Sequence, residues 1–358
     1  MRATVMRNFD LVVDTLPDPV PGPGEVLVRT LACGICGSDL HALKHARSFV
    51  DDTSGTALGM DLARDVVMGH EFCGELIDYG PKTKRRLAIG TNVCSVPTTM
   101  VDGVLRTVGY SNERPGGYGE LMVLMESLLL PVPNGLDVVR AALTEPLAVG
   151  YHAVAMARLQ PDDVALVIGC GPIGLAVINA LVLAGQRPII AADFSPMRRK
   201  LAETMGADIV LDPAQTSPYA TWAQVAAKTR AGGPVGVNPL SGTPLLRPGV
   251  FFECVGVPGV IDQMMVGAAR GCRFVIVGVC MEQDHIRPLL AINNELNLQF
   301  VLAYTPEEFA RTLHHIAAGE LQTDPLVTGR VGVAEVAGAF QALADPEAHA
   351  KIIVEPWR

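Results

Sequence analysis

The sequence predicts an α/β protein in which a doubly wound parallel sheet is joined to a β-rich domain, and three observations carry that prediction. The first is texture: from residue 1 to about 145, short β segments are separated by Pro and Gly, whereas from about 150 strands and helices alternate. The second is composition. Aliphatic side chains dominate while aromatics make up 5%, which suits parallel strands covered by helices better than an antiparallel sandwich. The third is Gly169-Cys170-Gly171-Pro172-Ile173-Gly174, a glycine-rich turn between a buried strand and a helix.

In chain order, Val5 to Arg7 and Glu25 to Thr30 read as strands, the second following the turn Pro21-Gly22-Pro23-Gly24. Val164 to Ile168 reads as a buried strand, Ile173 to Ala184 as a helix, Pro188 to Ala192 as a strand and Pro196 to Met205 as a helix. Phe251 to Val255 and Arg273 to Val277 repeat the buried-strand signature around a helix from Val260 to Ala269. The interval from Pro213 to Pro248 is polar and rich in Pro and Gly, so it reads as a helix flanked by long loops, and the sequence assigns it no chemistry. After Thr305-Pro306 a helix runs to about Gly319, and two apolar segments follow, Gly329 to Val333 and Lys351 to Val354.

A chain of 358 residues exceeds what one core usually supports, so two domains are expected. The net charge of −9 argues against nucleic acid or an anionic membrane as partner, which leaves a small molecule. The amino terminus has no unbroken apolar run of the signal-peptide kind. The most apolar stretch, Val164 to Ile190, is interrupted by glycines and prolines, so a membrane span is not expected and a cytoplasmic location is. There the eight cysteines are thiols or metal ligands rather than disulfides.

Each glycine of the turn has a physical task. Gly169 permits the tight turn, Gly171 lets backbone approach a pyrophosphate, and Gly174 lets the helix pack close to the sheet. Pro172 and Ile173 open the helix whose unpaired N–H groups attract the phosphates. Asp193, roughly 20 residues beyond Gly174, ends the second strand, where its carboxylate accepts from the adenosine ribose hydroxyls. A carboxylate there repels a 2′-phosphate, so NAD is expected over NADP, although Arg198 and Arg199 nearby are able to pair with a phosphate.

Cys36, His70 and Glu145 supply thiolate, imidazole and carboxylate, a donor set suited to catalytic zinc, but their spacing alone proves nothing. The neighbours add specificity. Cys33-Gly-Ile-Cys36-Gly-Ser38-Asp39-Leu-His41 together with Gly69-His70-Glu71 resembles the zinc-containing alcohol dehydrogenase family, the medium-chain dehydrogenases that include sorbitol and threonine dehydrogenases. The resemblance runs through Glu145-Pro146 and the glycine turn to Lys351 and so covers essentially the whole chain.

It implies a GroES-like catalytic domain over 1–147, a Rossmann NAD-binding domain over 148–302 and a return segment over 303–358 that completes the first. It makes Cys36 and His70 zinc ligands, Cys33 structural, and Glu71 a carboxylate that coordinates in some states. Glu145 occupies the third anchor of the sorbitol-dehydrogenase-like branch, bound directly or through water. A redox Cys-x-x-Cys pair at Cys33 and Cys36 is the competing reading.

Two departures from the family pattern stand out. Relatives with a structural zinc use four closely spaced cysteines, but here Cys94 is followed by none until Cys170, so one zinc per subunit is expected and the Thr98–Gly119 loop is held by its own packing. The stretch from Lys44 to Arg64 is expected to form a loop and short helix near the substrate mouth.

The implied reaction passes a hydride between a primary or secondary alcohol, diol or polyol and NAD, with zinc acidifying the alcohol. Ser38 and His41 would relay the released proton, while Asp39 fixes the orientation of His70 and pairs with Lys351. The resemblance also implies a homodimer or homotetramer. The rivals are a zinc-free quinone or enoyl reductase of the same fold and a sensor that binds NAD and zinc without turnover.

Overall fold

The computed structural model of the protein describes all residues except 52–59, 62, 102 and 134, and gives the backbone alone for 45–51. The chain divides into two compact units, Leu147–Glu308 and the combination of Met1–Pro146 with Phe309–Arg358.

The Leu147–Glu308 unit is built on a six-stranded parallel sheet whose strands, counted in chain order, lie 3-2-1-4-5-6 across it. Val164–Ile168 occupies the centre between Ile189–Ala192 and Gly249–Glu253. These strands read as continuous apolar runs because both faces are covered. Phe251 stacks on Phe274 at 5.4 Å and meets Trp222 edge-on at 5.0 Å. Trp222 is buried and its indole N–H donates to the Val164 carbonyl at 3.2 Å, so its one polar atom is satisfied. Ser195 and Ser217 cap the helices Pro196–Thr204 and Pro218–Ala226, and each cap is followed by a proline in the first turn.

This is the doubly wound α/β arrangement expected from the sequence. The outer strands Ile209–Leu211 and Asn297–Phe300 were not legible there. They are three or four residues long and only half-buried, so neither a continuous apolar run nor a clean alternation marks them.

In the other unit a seven-stranded sheet is organised around Glu25–Gly34. That strand runs past Thr30, the expected end, and pairs antiparallel with both Glu71–Tyr79 and Leu121–Met125. The extension matters because it sets Gly34 opposite Glu71 and Cys33 opposite Phe72. On the outer side Lys351–Val354 pairs antiparallel with the same strand, with Ile353 opposite Gly34.

Cys36 is followed directly by a helix, Gly37–Asp51, which carries Ser38, Asp39 and His41 in its first turns. It occupies the start of the stretch read as a loop and short helix from Lys44 to Arg64; 52–59 and 62 lie outside the described residues. The Thr98–Gly119 segment is not simply a loop. Thr98–Val101 and Val104–Thr107 pair as a hairpin whose turn contains Gly103 at φ +79°, and the sequence Asp102-Gly103 is the hairpin signal that the loop reading overlooked. Among the described residues no helix is long and apolar enough to cross a membrane.

Candidate active site

The antiparallel pair Glu25–Gly34 and Glu71–Tyr79, together with the helix that begins at Gly37, gathers three ligand atoms. One each from Cys36, His70 and Glu71 lie within 4.8 Å of one another. His70 and Glu71 are buried, 7% and 0% exposed, whereas Cys36 is half-buried and gives the cluster its opening.

Glycines make this approach sterically possible. A Cβ on Gly34 would lie 2.0 Å from Glu71 Oε2, and one on Gly69 would meet Tyr118 at 2.8 Å and Cys33 Sγ at 2.9 Å, with φ at +101° besides. Cys33 is wholly buried against Gly69 and Gly117, the setting of a packing residue.

Asp39 is the polar centre behind the cluster. Its carboxylate accepts from the Cys36 backbone N–H at 3.0 Å, from Tyr110 at 2.8 Å and from Tyr118 at 2.6 Å. Oδ1 also faces His70 Nδ1 at 3.4 Å. Burial alone would raise the Asp39 pKa, but the nearby His70, the Tyr118 hydroxyl and the Cys36 N–H together hold it below the ordinary value. Burial likewise opposes charge on His70, yet the Asp39 carboxylate holds its imidazole well above the usual histidine range. The two tyrosine hydroxyls, desolvated and facing Asp39, are pushed up and remain neutral donors.

Lys351 does not pair with Asp39, contrary to the sequence-based expectation. Its Nζ lies 2.7 and 2.8 Å from the two oxygens of Glu71 and donates to the Ile35 carbonyl at 3.0 Å. The reason is geometric. Donors already surround Asp39, whereas the strand Lys351–Val354 runs beside Cys33 and Gly34, directly across from Glu71. Desolvation opposes charge on the buried lysine, but Glu71, Cys36 and Glu145 hold its pKa above the ordinary value.

Glu145 opens the helix Thr144–Met156 and is 9% exposed. It stands outside the tight cluster of Cys36, His70 and Glu71, while its charge is felt at Lys351. Ser38 Oγ is 2.9 Å from Tyr110 Oη, and His41 is half-buried one turn along the same helix. Tyr110 and Tyr118 were missed by sequence reasoning. The Gly116-Gly117-Tyr118 run was the available signal, since two small residues let that tyrosine approach Cys33 and Gly69.

The donor set fits zinc. A thiol, an imidazole and a carboxylate converge, and His70 Nδ1 is buried with no hydrogen-bond partner, directed toward Asp39 rather than toward water. The residues also fit a dinucleotide in the Leu147–Glu308 unit. Gly169 has φ +90° and its N–H donates to Ala192 at 2.9 Å. A Cβ on Gly174 would fall 1.9 Å from the Gly169 carbonyl, whereas one on Gly171 would meet nothing nearer than the Arg198 guanidinium at 3.8 Å. Gly171 therefore leaves open space where a pyrophosphate needs it. Pro172 and Ile173 begin the helix Pro172–Leu183. Asp193 accepts from the N–H groups of Cys170 at 2.7 Å and Ser195 at 2.8 Å, which fixes the carboxylate at the end of its strand.

A glycine-turn sheet of the dinucleotide-binding kind and a cysteine–histidine–glutamate cluster able to hold a metal, together in one chain, are the features of the metal-binding, nicotinamide-linked dehydrogenases. Comparison with known proteins makes the class specific. Residues 22–134 match the alcohol dehydrogenase GroES-like domain and residues 172–318 the zinc-binding dehydrogenase domain. The chain is 31% identical over 366 residues to (R,R)-butanediol dehydrogenase of Bacillus subtilis, covering 99% of this chain and 100% of that one. It is 28% identical over 374 residues to sorbitol dehydrogenase of the same organism, covering 100% and 98%. A zinc-binding dehydrogenase structure from Sinorhizobium meliloti with bound NADP superposes with TM-score 0.79 at 26% identity, covering 99% of both chains. The chain belongs to the zinc-containing alcohol dehydrogenase family and is an oxidoreductase acting on CH–OH groups.

Proposed function

We propose that the chain interconverts a secondary alcohol of a diol or polyol and the corresponding ketone with NAD as partner, using one zinc per subunit. The observation that carries this reading is the buried convergence of Cys36, His70 and Glu71 in a chain whose relatives are named butanediol and sorbitol dehydrogenases. Cys36 and His70 would hold the zinc with a carboxylate, Glu71 or Glu145. When bound, the metal would acidify the alcohol and polarise the carbonyl. The nicotinamide would carry the hydride.

The rest falls to the chain's own side chains. The Ser38 hydroxyl oxygen accepts from Tyr110, and in a relay it would accept the proton lost by the alcohol while handing its own proton on. His41, on the same helix, would pass it to solvent, because an imidazole can both take up and release a proton. Asp39 would keep the His70 ring in one orientation, and Lys351 neutralises Glu71 inside the protein.

Gly169, Gly171, Pro172, Ile173 and Gly174 would cradle the cofactor pyrophosphate, and Asp193 the adenosine ribose. NAD is preferred over NADP because the Asp193 carboxylate meets a 2′-phosphate with like charge. Arg199 is already engaged by the carbonyls of Asp193 and Phe194 and by Asp212. A cytoplasmic homodimer or homotetramer completes the reading.

Zinc per chain, measured by elemental mass spectrometry on protein purified without added metal, tests the centre. Production of NADH across butanediol stereoisomers, sorbitol and simple secondary alcohols tests the reaction. About one zinc per chain with diol oxidation is the expected pair of results. A zinc content near zero that added zinc does not raise, with no alcohol oxidised, would overturn the reading.

A further inference from the structure

The Pro213–Pro248 interval, to which the dehydrogenase chemistry assigns nothing, builds a cationic cavity. It is open to solvent, has a volume of about 650 Å³ and is lined by Arg187, Asp208, Lys228, Thr229, Arg230 and Arg247, among others. It lies where the strands Ile189–Ala192, Ile209–Leu211 and Gly249–Glu253 begin, since Pro188, Asp208 and Arg247 just precede them. The glycine turn and Asp193 stand at the opposite, carboxyl ends of the parallel strands, where dinucleotides bind. The cavity is therefore separate from the cofactor site.

Two features of its wall point to an anionic occupant. Arg247 is 8% exposed, yet its Nε and Nη1 are buried with no hydrogen-bond partner. A buried guanidinium with unpaired donors is costly, and such groups are normally matched by an anion. The second feature is the charge balance. The single lining carboxylate, Asp208, is consumed by Arg187 at 3.0 Å and by the Ile189 N–H at 2.7 Å. Among the described residues Arg230 pairs with Asp162 at 3.8 Å, a long contact on an exposed flank that solvent screens. Burial, and after it the nearby Arg230, hold the Arg247 pKa below its ordinary value, and the Asp162 carboxylate offsets this only in part.

Local backbone makes the wall. The helix Pro218–Ala226 ends here, and its carbonyl dipole would disfavour an anion were it free. It is not free: the Ala226 carbonyl accepts from the Arg247 N–H at 2.8 Å and the Ala227 carbonyl from the Val235 N–H at 2.9 Å. A tight return closed by Thr229 N–H to Gly233 at 2.7 Å, with Gly232 at φ +86°, carries Thr229 and Arg230 to the rim.

We infer that this cavity binds the phosphate group of a small phosphorylated metabolite, with Arg247 as the buried anchor and Lys228 and Arg230 as its rim contacts. Arginine forks match phosphate oxygens in pairs, and the volume suits a ligand larger than a bare phosphate ion. The overall charge of −9 disfavours a nucleic-acid backbone as the source of the phosphate.

Calorimetric titration of the full chain with inorganic pyrophosphate at constant ionic strength, in saturating NAD so that the glycine turn is filled, tests the assignment. One saturable site per chain is expected under these conditions. Arg247→Met should weaken it at least about tenfold, and Lys228→Ala and Arg230→Ser several-fold each, with alcohol oxidation unchanged in the two rim variants. Should Arg247→Met fail to fold, the rim variants decide the matter. The assignment is overturned by the absence of saturable heat in the NAD-saturated chain, by rim variants that bind as the parent does, or by a single-stranded oligonucleotide binding where pyrophosphate does not.

Discussion

Tyr118 and Lys351 show how single groups shape the centre without belonging to the ligand set. Tyr118 Oη donates to Asp39 at 2.6 Å, and Asp39 in turn faces His70 at 3.4 Å. Tyr118→Phe removes one donor from a buried carboxylate, which destabilises by about 1–3 kcal/mol. Because Asp39 orients His70, the same change should lower zinc affinity roughly 10- to 100-fold, read by competition with a chelator. Unchanged zinc affinity alongside lowered stability would reduce Tyr118 to a packing role. Lys351 is 2% exposed and its partner Glu71 is 0% exposed, so Lys351→Met strands a buried carboxylate. Urea unfolding of metal-stripped protein should show a loss of about 3–5 kcal/mol. Adding Glu71→Gln to that variant should recover most of the loss, since no charge then lacks a partner. A double variant as unstable as the single one would place the cost in the lost packing of the lysine stem instead.

At the scale of elements, the two centres were legible in the sequence to different depths, for physical reasons. The strand, glycine turn and helix around Gly169 obey local rules, so residues within one short window define them. The metal cluster depends on pairings across the sheet that no local window contains. Gly69-His70-Glu71 was visible as a motif, but the partner of Glu71 is 280 positions away and was set by where Lys351–Val354 pairs. The roles of Tyr110 and Tyr118 were hidden for the same reason, because their contacts with Asp39 span 71 and 79 positions, and the glycines before Tyr118 mark only its close approach. The glycine turn gives the sharpest element-level test. Gly174→Ala puts a methyl 1.9 Å from the Gly169 carbonyl, so the helix must shift and stability should fall by about 1–3 kcal/mol. Gly171→Ala meets only a flexible arginine end at 3.8 Å, and its φ of −67° suits alanine. That variant should melt like the parent while KM for NAD rises about tenfold or more, because the methyl occupies space needed by the pyrophosphate. Equal KM in Gly171→Ala and parent would place the pyrophosphate elsewhere.

For the molecule as a whole, the division into two units predicts how ligands act on stability. Each unit has its own core: one cluster runs through Val26, Phe72, Tyr118 and Ile352, the other through Leu166, Trp222, Phe251 and Phe274. The proposed zinc ligands belong wholly to the first unit, and the proposed nucleotide turn wholly to the second. A ligand that binds only the folded state stabilises the unit holding it, by about 2.7 kcal/mol at a hundredfold excess over its Kd. Scanning calorimetry of metal-stripped protein should therefore resolve two transitions, of which zinc raises one and NAD the other. Gly171→Ala should cut the NAD-dependent shift to about half or less and leave the zinc-dependent shift intact, while Tyr118→Phe should weaken the zinc-dependent shift alone. A single transition moved equally by both ligands would mean that the two cores unfold as one cooperative body. The linkage between metal and cofactor would then belong to the whole chain rather than to its parts.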